Sequence, residues 1–188
     1  MFERQQKILE AAVRVIARSG VRGLRVEKIA AEAGISTSLI YYHFTNRTGL
    51  LRKTLEFVSD RAAAYTEEAS ADAADPRAEL ELMLFGEFQE TQAVRENSTV
   101  WGELRASAVF TPELREPLAA ATRIWVDEVA DVIRSVDSAG VEAEDAAERL
   151  TSLVEGLSER WLSGSMDLDR ARGLLRGAIA LELDRLGA

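Results

Sequence analysis

Ala30-Ala31-Glu32-Ala33-Gly34-Ile35-Ser36-Thr37-Ser38-Leu39-Ile40-Tyr41-Tyr42-His43-Phe44 reads as two short helices joined by a tight turn. Val26, Ile29, Ala30 and Ala33 recur at helical spacing, so a helix over about 26–33 buries one side and stops at Gly34. A left-handed backbone costs little at a glycine there. Ser36 is placed to cap a following helix that the pattern carries only to Tyr42. A small Ala30 lets the two helices cross closely, and Ile35, Leu39 and Phe44 are expected to anchor the second to a core. Ahead of them, Ile8, Ala11, Ala12, Val15 and Ile16 form an amphipathic stripe over about Arg4 to Ser19, with Gly20 and Gly23 bracketing its end. Three short helices with a tight turn between the last two make a helix-turn-helix.

Downstream the pattern stays helical. Leu51, Leu55, Val58, Ala62 and Tyr65 predict a long helix from about Thr48, and Ala71 to Pro76 is the most linker-like stretch. One helix is expected from Pro76 to about Arg95 (Leu80, Leu84, Phe88) and a shorter one around Val100, Trp101, Leu104 and Ala108. Thr111 and Pro112 supply a cap and a first helical residue. A long helix then carries Leu114, Leu118, Ala121, Trp125 and Val132 to about Ser138-Ala139-Gly140, and a pair spans about Asp145 to Leu162 and Leu168 to Leu186. With three prolines and scattered β-branched residues, the fold class is all-α. The expected domains are 1–47, a helix-turn-helix domain, and 48–188, a larger helical domain.

Several chemistries are excluded at once. Cysteine is absent and histidine occurs once, which removes disulfide scaffolds, thiol nucleophiles and Cys or Cys/His zinc sites. No metal and no cofactor is expected. No run of 18 apolar residues occurs, so the expectation is a soluble, cytoplasmic protein without a membrane partner. The net charge of −9 argues against nucleic acid only as an average. Residues 1–53 hold ten Lys or Arg against four acids, a net of +6, while the remainder carries −15. A small basic module joined to an acidic one points to an anionic partner for the first.

The stretch from Ile8 to Leu51 resembles the tetracycline-repressor (TetR) family of transcriptional regulators. The resemblance is carried by Gly20-Val21-Arg22-Gly23-Leu24, by Glu27-Lys28-Ile29-Ala30 and by Tyr41-Tyr42-His43-Phe44 in register with Gly34 and with Leu50-Leu51. It implies a two-domain homodimer that binds a palindromic double-stranded DNA operator, most often as a repressor, and is released by a small-molecule inducer. The residues agree independently. Ser36, Thr37, Ser38 and Tyr41 line the outer face of the third helix, where short hydroxyl side chains let it approach base edges or phosphates in the major groove. Tyr42, His43 and Arg47 match family positions that grip the phosphate backbone. Arg25 and Lys28 join the candidate DNA contacts at the start of the second helix. Arg25 stands where relatives place a Ser or Thr cap, so that cap is lost or replaced by a phosphate contact. No Arg, Asn or Gln precedes Tyr42 in the third helix to read a base bidentately, so the operator sequence is not legible.

Further on the resemblance is weaker. From about Trp101 to Leu175, with Thr111-Pro112-Glu113-Leu114 and Val154-Glu155-Gly156-Leu157, the chain is similar to the C-terminal domain type shared with the choline-responsive betaine-pathway repressor, a broad type that does not fix the ligand. Glu87 and Glu128 are polar residues on or beside apolar stripes, and together with the aromatic residues Phe88, Trp101, Trp125 and Trp161 they are candidate ligand contacts, the carboxylates serving as counter-charges if the ligand is cationic. The same tryptophans also fit plain core filling. For the dimer, Leu153, Leu157, Leu174, Ala178 and Leu181 on the last two helices would pack against a second copy as a four-helix bundle, as the family does. A helical enzyme using Glu87 and Glu128 would lack a nucleophile, metal cluster or phosphate loop, so no enzyme is expected. A helical adaptor with an incidental helix-turn-helix is the other alternative.

Overall fold

In a computed structural model, which describes residues 2–136 and 142–186, the chain is helical with no strand among the described residues. The helices are α1 (Phe2–Ser19), α2 (Val26–Ala33), α3 (Thr37–His43), α4 (Arg47–Ser70), α5 (Pro76–Phe85), α6 (Gln92–Ala108), α7 (Arg115–Val136), α8 (Ala143–Leu162) and α9 (Leu168–Leu186), with a 3-10 turn at Pro112–Leu114. They fall into two compact units, Met1–Arg61 with Arg95–Ala120, and Ala62–Val94 with Ala121–Ala188. Helices α4, α6 and α7 contribute residues to both.

The first unit is organised around the buried face of α1. Ile8, Ala11, Ala12, Val15 and Ile16 pack with Ile29, Ala30 and Ala33 of α2 and with Leu50, Leu51, Leu55, Val100 and Leu104. Glu32 of α2 accepts from Arg14 (2.7 Å) and from Arg18, joining the two helices at their rim. Gly34 has φ 64° and ψ 41° as expected, and the Ile35 N–H reaches back to the Ala30 carbonyl at 3.0 Å, which satisfies an end-of-helix carbonyl. Arg25 precedes α2 with no side-chain cap bond. Ser36 caps α3 by accepting from the Leu39 N–H at 3.3 Å. The anchor of α3 differs from expectation. Ile40, not Leu39, is its one buried residue, and Phe44 lies one helical turn further along the same face. A face built on Ile40 and Phe44 turns Leu39 toward the flank.

In the second unit α5 and α9 pack with α8 and most of α7 around Leu80, Leu84, Phe88, Val129, Ile133, Val154, Leu157, Leu175 and Ile179. The single helix expected over 76–95 is two. α5 ends at Phe85, and Arg172 of α9 donates to the Phe88 carbonyl through Nε (3.1 Å) and Nη2, holding the chain in a bend. Gln89 closes on the Gly86 carbonyl at 3.1 Å, and Thr91 accepts from the Val94 N–H at 3.3 Å at the start of α6. The segment around Val100 to Ala108, expected as a separate helix, is the rest of α6. Thr111 makes no side-chain cap bond, and Leu114 belongs to the 3-10 turn that Pro112 opens. The buried stripe of α7 in this unit is Val126, Val129, Ala130 and Ile133, which leaves Trp125 and Val132 half-buried on its flanks. The expected helix end at Ser138-Ala139-Gly140 lies outside the described residues.

Candidate nucleic-acid interface and ligand region

Ile40 fastens α3 inward, so the opposite side of this seven-residue helix faces solvent. Tyr41 is 55% and Tyr42 72% exposed, large aromatic surface that no core residue covers. Ser36 and Ser38 are exposed with hydroxyls 2.9 Å apart, and Thr37 is half-buried at the first helical position. His43 is half-buried and meets Tyr42 edge-on, ring centroids 5.3 Å apart. Arg25, Lys28 and Arg47 are exposed. None of the nine candidate DNA contacts is buried.

Arg47 also braces the chain. It opens α4, and its guanidinium donates to the Val21 carbonyl at 2.6 Å in the turn between α1 and α2. A guanidinium has five N–H donors in a fork, so one bond to the chain leaves others free for an incoming phosphate. The Val21 N–H in turn donates to Glu103 of α6 at 2.8 Å. No sequence signal pointed to Glu103, because its partner is a backbone amide 82 residues away.

Of the candidate ligand residues, Phe88 and Trp161 meet inside the second unit with ring centroids 6.3 Å apart, both buried. Trp125 packs half-buried against the same core. Glu87, beside Phe88, accepts from the Tyr65 hydroxyl at 2.8 Å. Tyr65, seen in the sequence only as part of an apolar stripe, therefore holds a carboxylate. Glu128 is exposed as a residue, yet desolvation of its carboxyl raises its pKa above the ordinary value. Trp101 is not brought into this group. It packs against the core of the first unit, with the Arg105 guanidinium 5.8 Å from its ring centroid.

The candidate dimer residues divide by burial. Leu181 is 68% exposed, and Leu153, Leu174 and Ala178 are half-buried. Leu157 is 2% exposed within its own protomer and belongs to its core. Gly156, Gly173 and Gly177 are exposed, with open space where a Cβ would stand.

Comparison with known proteins adds to this geometry. Residues 8–54 match the bacterial regulatory proteins of the tetR family, and residues 76–184 match the BetI-type transcriptional repressor C-terminal family. The HTH-type transcriptional regulator BetI of Burkholderia mallei is 28% identical over 165 residues, covering 87% of this chain and 82% of the relative. A crystal structure from Rhodococcus sp., assigned to the TetR-family transcriptional regulators, is 44% identical with a TM-score of 0.90, covering 97% of this chain and 100% of the other. A transcriptional regulator from Saccharomonospora viridis, solved in complex with choline, is 28% identical with a TM-score of 0.84, covering 96% of this chain and 97% of the other. Among the described residues no helix is long and apolar enough to cross a membrane.

Proposed function

The chain belongs to the tetR family of bacterial regulatory proteins, and on that premise we propose that it is a repressor that binds a palindromic operator as a homodimer and leaves it when a small ligand binds. The observation that carries the DNA-binding part is α3 itself. Its single buried residue, Ile40, locks one side, while Tyr41, Tyr42, Ser36 and Ser38 are exposed, as are Arg25, Lys28 and Arg47. Such a face can enter a major groove and read it by hydrogen bonds and contact with thymine methyls, with Arg25, Lys28, His43 and Arg47 on phosphates. Residues 1–47 read DNA in this account, and residues 48–188 bind ligand and dimerise in a cytoplasmic protein.

One copy of so small a module makes too few contacts for high affinity. Two copies related by a two-fold axis, joined through Leu153, Leu174, Ala178 and Leu181 of α8 and α9, would present recognition helices one DNA turn apart, about 34–36 Å. The ligand we propose is a compact quaternary ammonium of the choline class. Aromatic faces hold such a cation and a carboxylate neutralises it. Phe88, Trp125 and Trp161 supply the faces in the second unit, with Glu87 or Glu128 as counter-charge. The choline-bound relative supports this reading of the ligand. Ligand and DNA engage different residues, so the ligand lowers DNA affinity only by binding better to the conformation that DNA does not select. The same coupling makes DNA weaken ligand binding.

The test is a titration of a duplex from the DNA flanking the gene, with choline added to the complex. Release of the duplex together with a change in tryptophan emission is expected. Release with all three tryptophans spectrally unchanged would move the ligand elsewhere, and failure of choline to release DNA would remove that ligand class.

A further inference from the structure

The main chain of Val21, in the turn between α1 and α2, is held at both of its polar groups. Its N–H donates to Glu103 Oε2 of α6 at 2.8 Å, and its carbonyl accepts from Arg47 at the start of α4 at 2.6 Å. The turn is shaped to admit the carboxylate. Gly20 has φ +67°, a conformation unfavourable for other residues, and a Cβ placed there would lie 2.9 Å from Glu103 Oε2. Helix α6 is fastened to α4 as well, because the buried Asn97 side-chain amide donates to the Val58 carbonyl at 3.0 Å. Asn97 thus ties α6 to α4, and Glu103, further along α6, reaches the turn.

Arg47 lies three positions beyond Phe44, the residue that follows α3. A chain of two hydrogen bonds therefore runs from the Glu103 carboxylate through Val21 to the arginine that adjoins the recognition helix. A carboxylate accepting from a backbone amide makes a shorter and stronger bond than a neutral acceptor would.

We propose that Glu103 is a positioning residue for operator binding: it fixes the α1–α2 turn and, through the Val21 carbonyl, aims the Arg47 guanidinium at the DNA backbone. This rests on the DNA-binding reading of α3. It assigns a DNA-affinity role to a residue of α6 that carries no positive charge and touches no base.

The experiment uses the full chain and the flanking duplex that the wild-type protein binds. Three measurements are made: duplex affinity for Glu103→Ala, Glu103→Gln, Arg47→Ala and the Glu103→Ala/Arg47→Ala double variant; hydrogen exchange at the Val21 amide; and urea unfolding of each variant. Glu103→Ala is expected to weaken duplex binding about tenfold and to speed Val21 exchange, with Glu103→Gln, which keeps an acceptor oxygen, recovering most of the affinity. In the Arg47→Ala background the same Glu103→Ala change should cost almost nothing further, because its route to DNA is gone. The full tenfold loss on top of Arg47→Ala would overturn the role, since Glu103 would then act on the fold at large. Wild-type affinity in Glu103→Ala, with binding by the parent intact, would overturn it alone. A wild-type chain that shows no preference for the flanking duplex over random DNA would overturn the DNA-binding reading and this role with it. Val21 exchange would still report whether the clamp exists. If Glu103→Ala fails to fold, Glu103→Asp, which shortens the reach to the Val21 N–H by one methylene, decides the same question: its loss of duplex affinity should vanish in the Arg47→Ala background, and the same loss persisting there would overturn the role.

Discussion

The proposed recognition helix, α3, and the helix α8 invert one another. α3 buries one residue of seven and presents aromatic rings and hydroxyls to solvent. α8 buries nine of twenty, among them Leu150, Val154, Leu157 and Trp161. In α3 most side chains are free to serve a partner because one apolar contact secures the backbone. In α8 many side chains are already committed to the protomer, so the proposed ligand contact at Trp161 would use a group that also holds the fold. Function and stability should therefore separate under mutation in the first helix and stay entangled in the second.

Trp161→Ala gives the largest expected effect. Emptying so large a buried site should cost about 3–5 kcal/mol in urea or thermal unfolding and weaken ligand binding along with it. Tyr42→Ala removes comparable aromatic surface from α3 but should leave the unfolding free energy within about 0.5 kcal/mol of wild type while weakening DNA binding. Similar stability losses for the two would break the contrast. Next in size is Leu181→Glu, a charge on an apolar side chain that the protomer leaves exposed. Sedimentation should show monomers with unfolding of the protomer little changed, whereas a charge at Leu157 should unfold the chain. A dimer that persists in Leu181→Glu would remove α9 from the interface.

The smallest effect concerns pH, and its sign differs between the units. The Arg14 and Arg18 guanidinium groups lower the pKa of Glu32 from its ordinary 4.5. Its contribution to stability is in place above that value and is lost as pH falls through the folded-state pKa. Desolvation raises that of Glu128 above 4.5, so its contribution is in place below 4.5 and is lost as pH rises through the folded-state value. Between about pH 3 and 7, Glu32→Gln should lose most against wild type at the neutral end, and Glu128→Gln should gain most there. Unfolding midpoints across that range check both signs.

The same contrast explains what was legible. The α2–α3 turn is local chemistry: Gly34 ends one helix, Ser36 caps the next, and both are fixed within a few residues. The bend between α5 and α6 was not legible, because Arg172, 84 residues away, secures it at the Phe88 carbonyl. Trp101, Trp125 and Trp161 carry similar local patterns, and only tertiary packing sends Trp101 into one core and the others into another. Ile40 was within reach, since its four-residue spacing to Phe44 is itself a helical signal. The Glu103 contact was not, because a carboxylate that bonds a distant backbone amide leaves no pattern of residue types.

The central claim is that α3 reads sequence while the flanking cations only grip the duplex. Anisotropy titrations of wild type, Tyr41→Ala and Arg47→Ala against the flanking duplex and a random one, each over a range of salt, test it most directly. Wild type should prefer the flanking duplex by about a thousandfold or more. Tyr41→Ala should lose much of that preference while keeping its random-DNA affinity, and Arg47→Ala should weaken both duplexes with a shallower salt dependence. Equal losses on both duplexes for Tyr41→Ala would contradict base reading by α3.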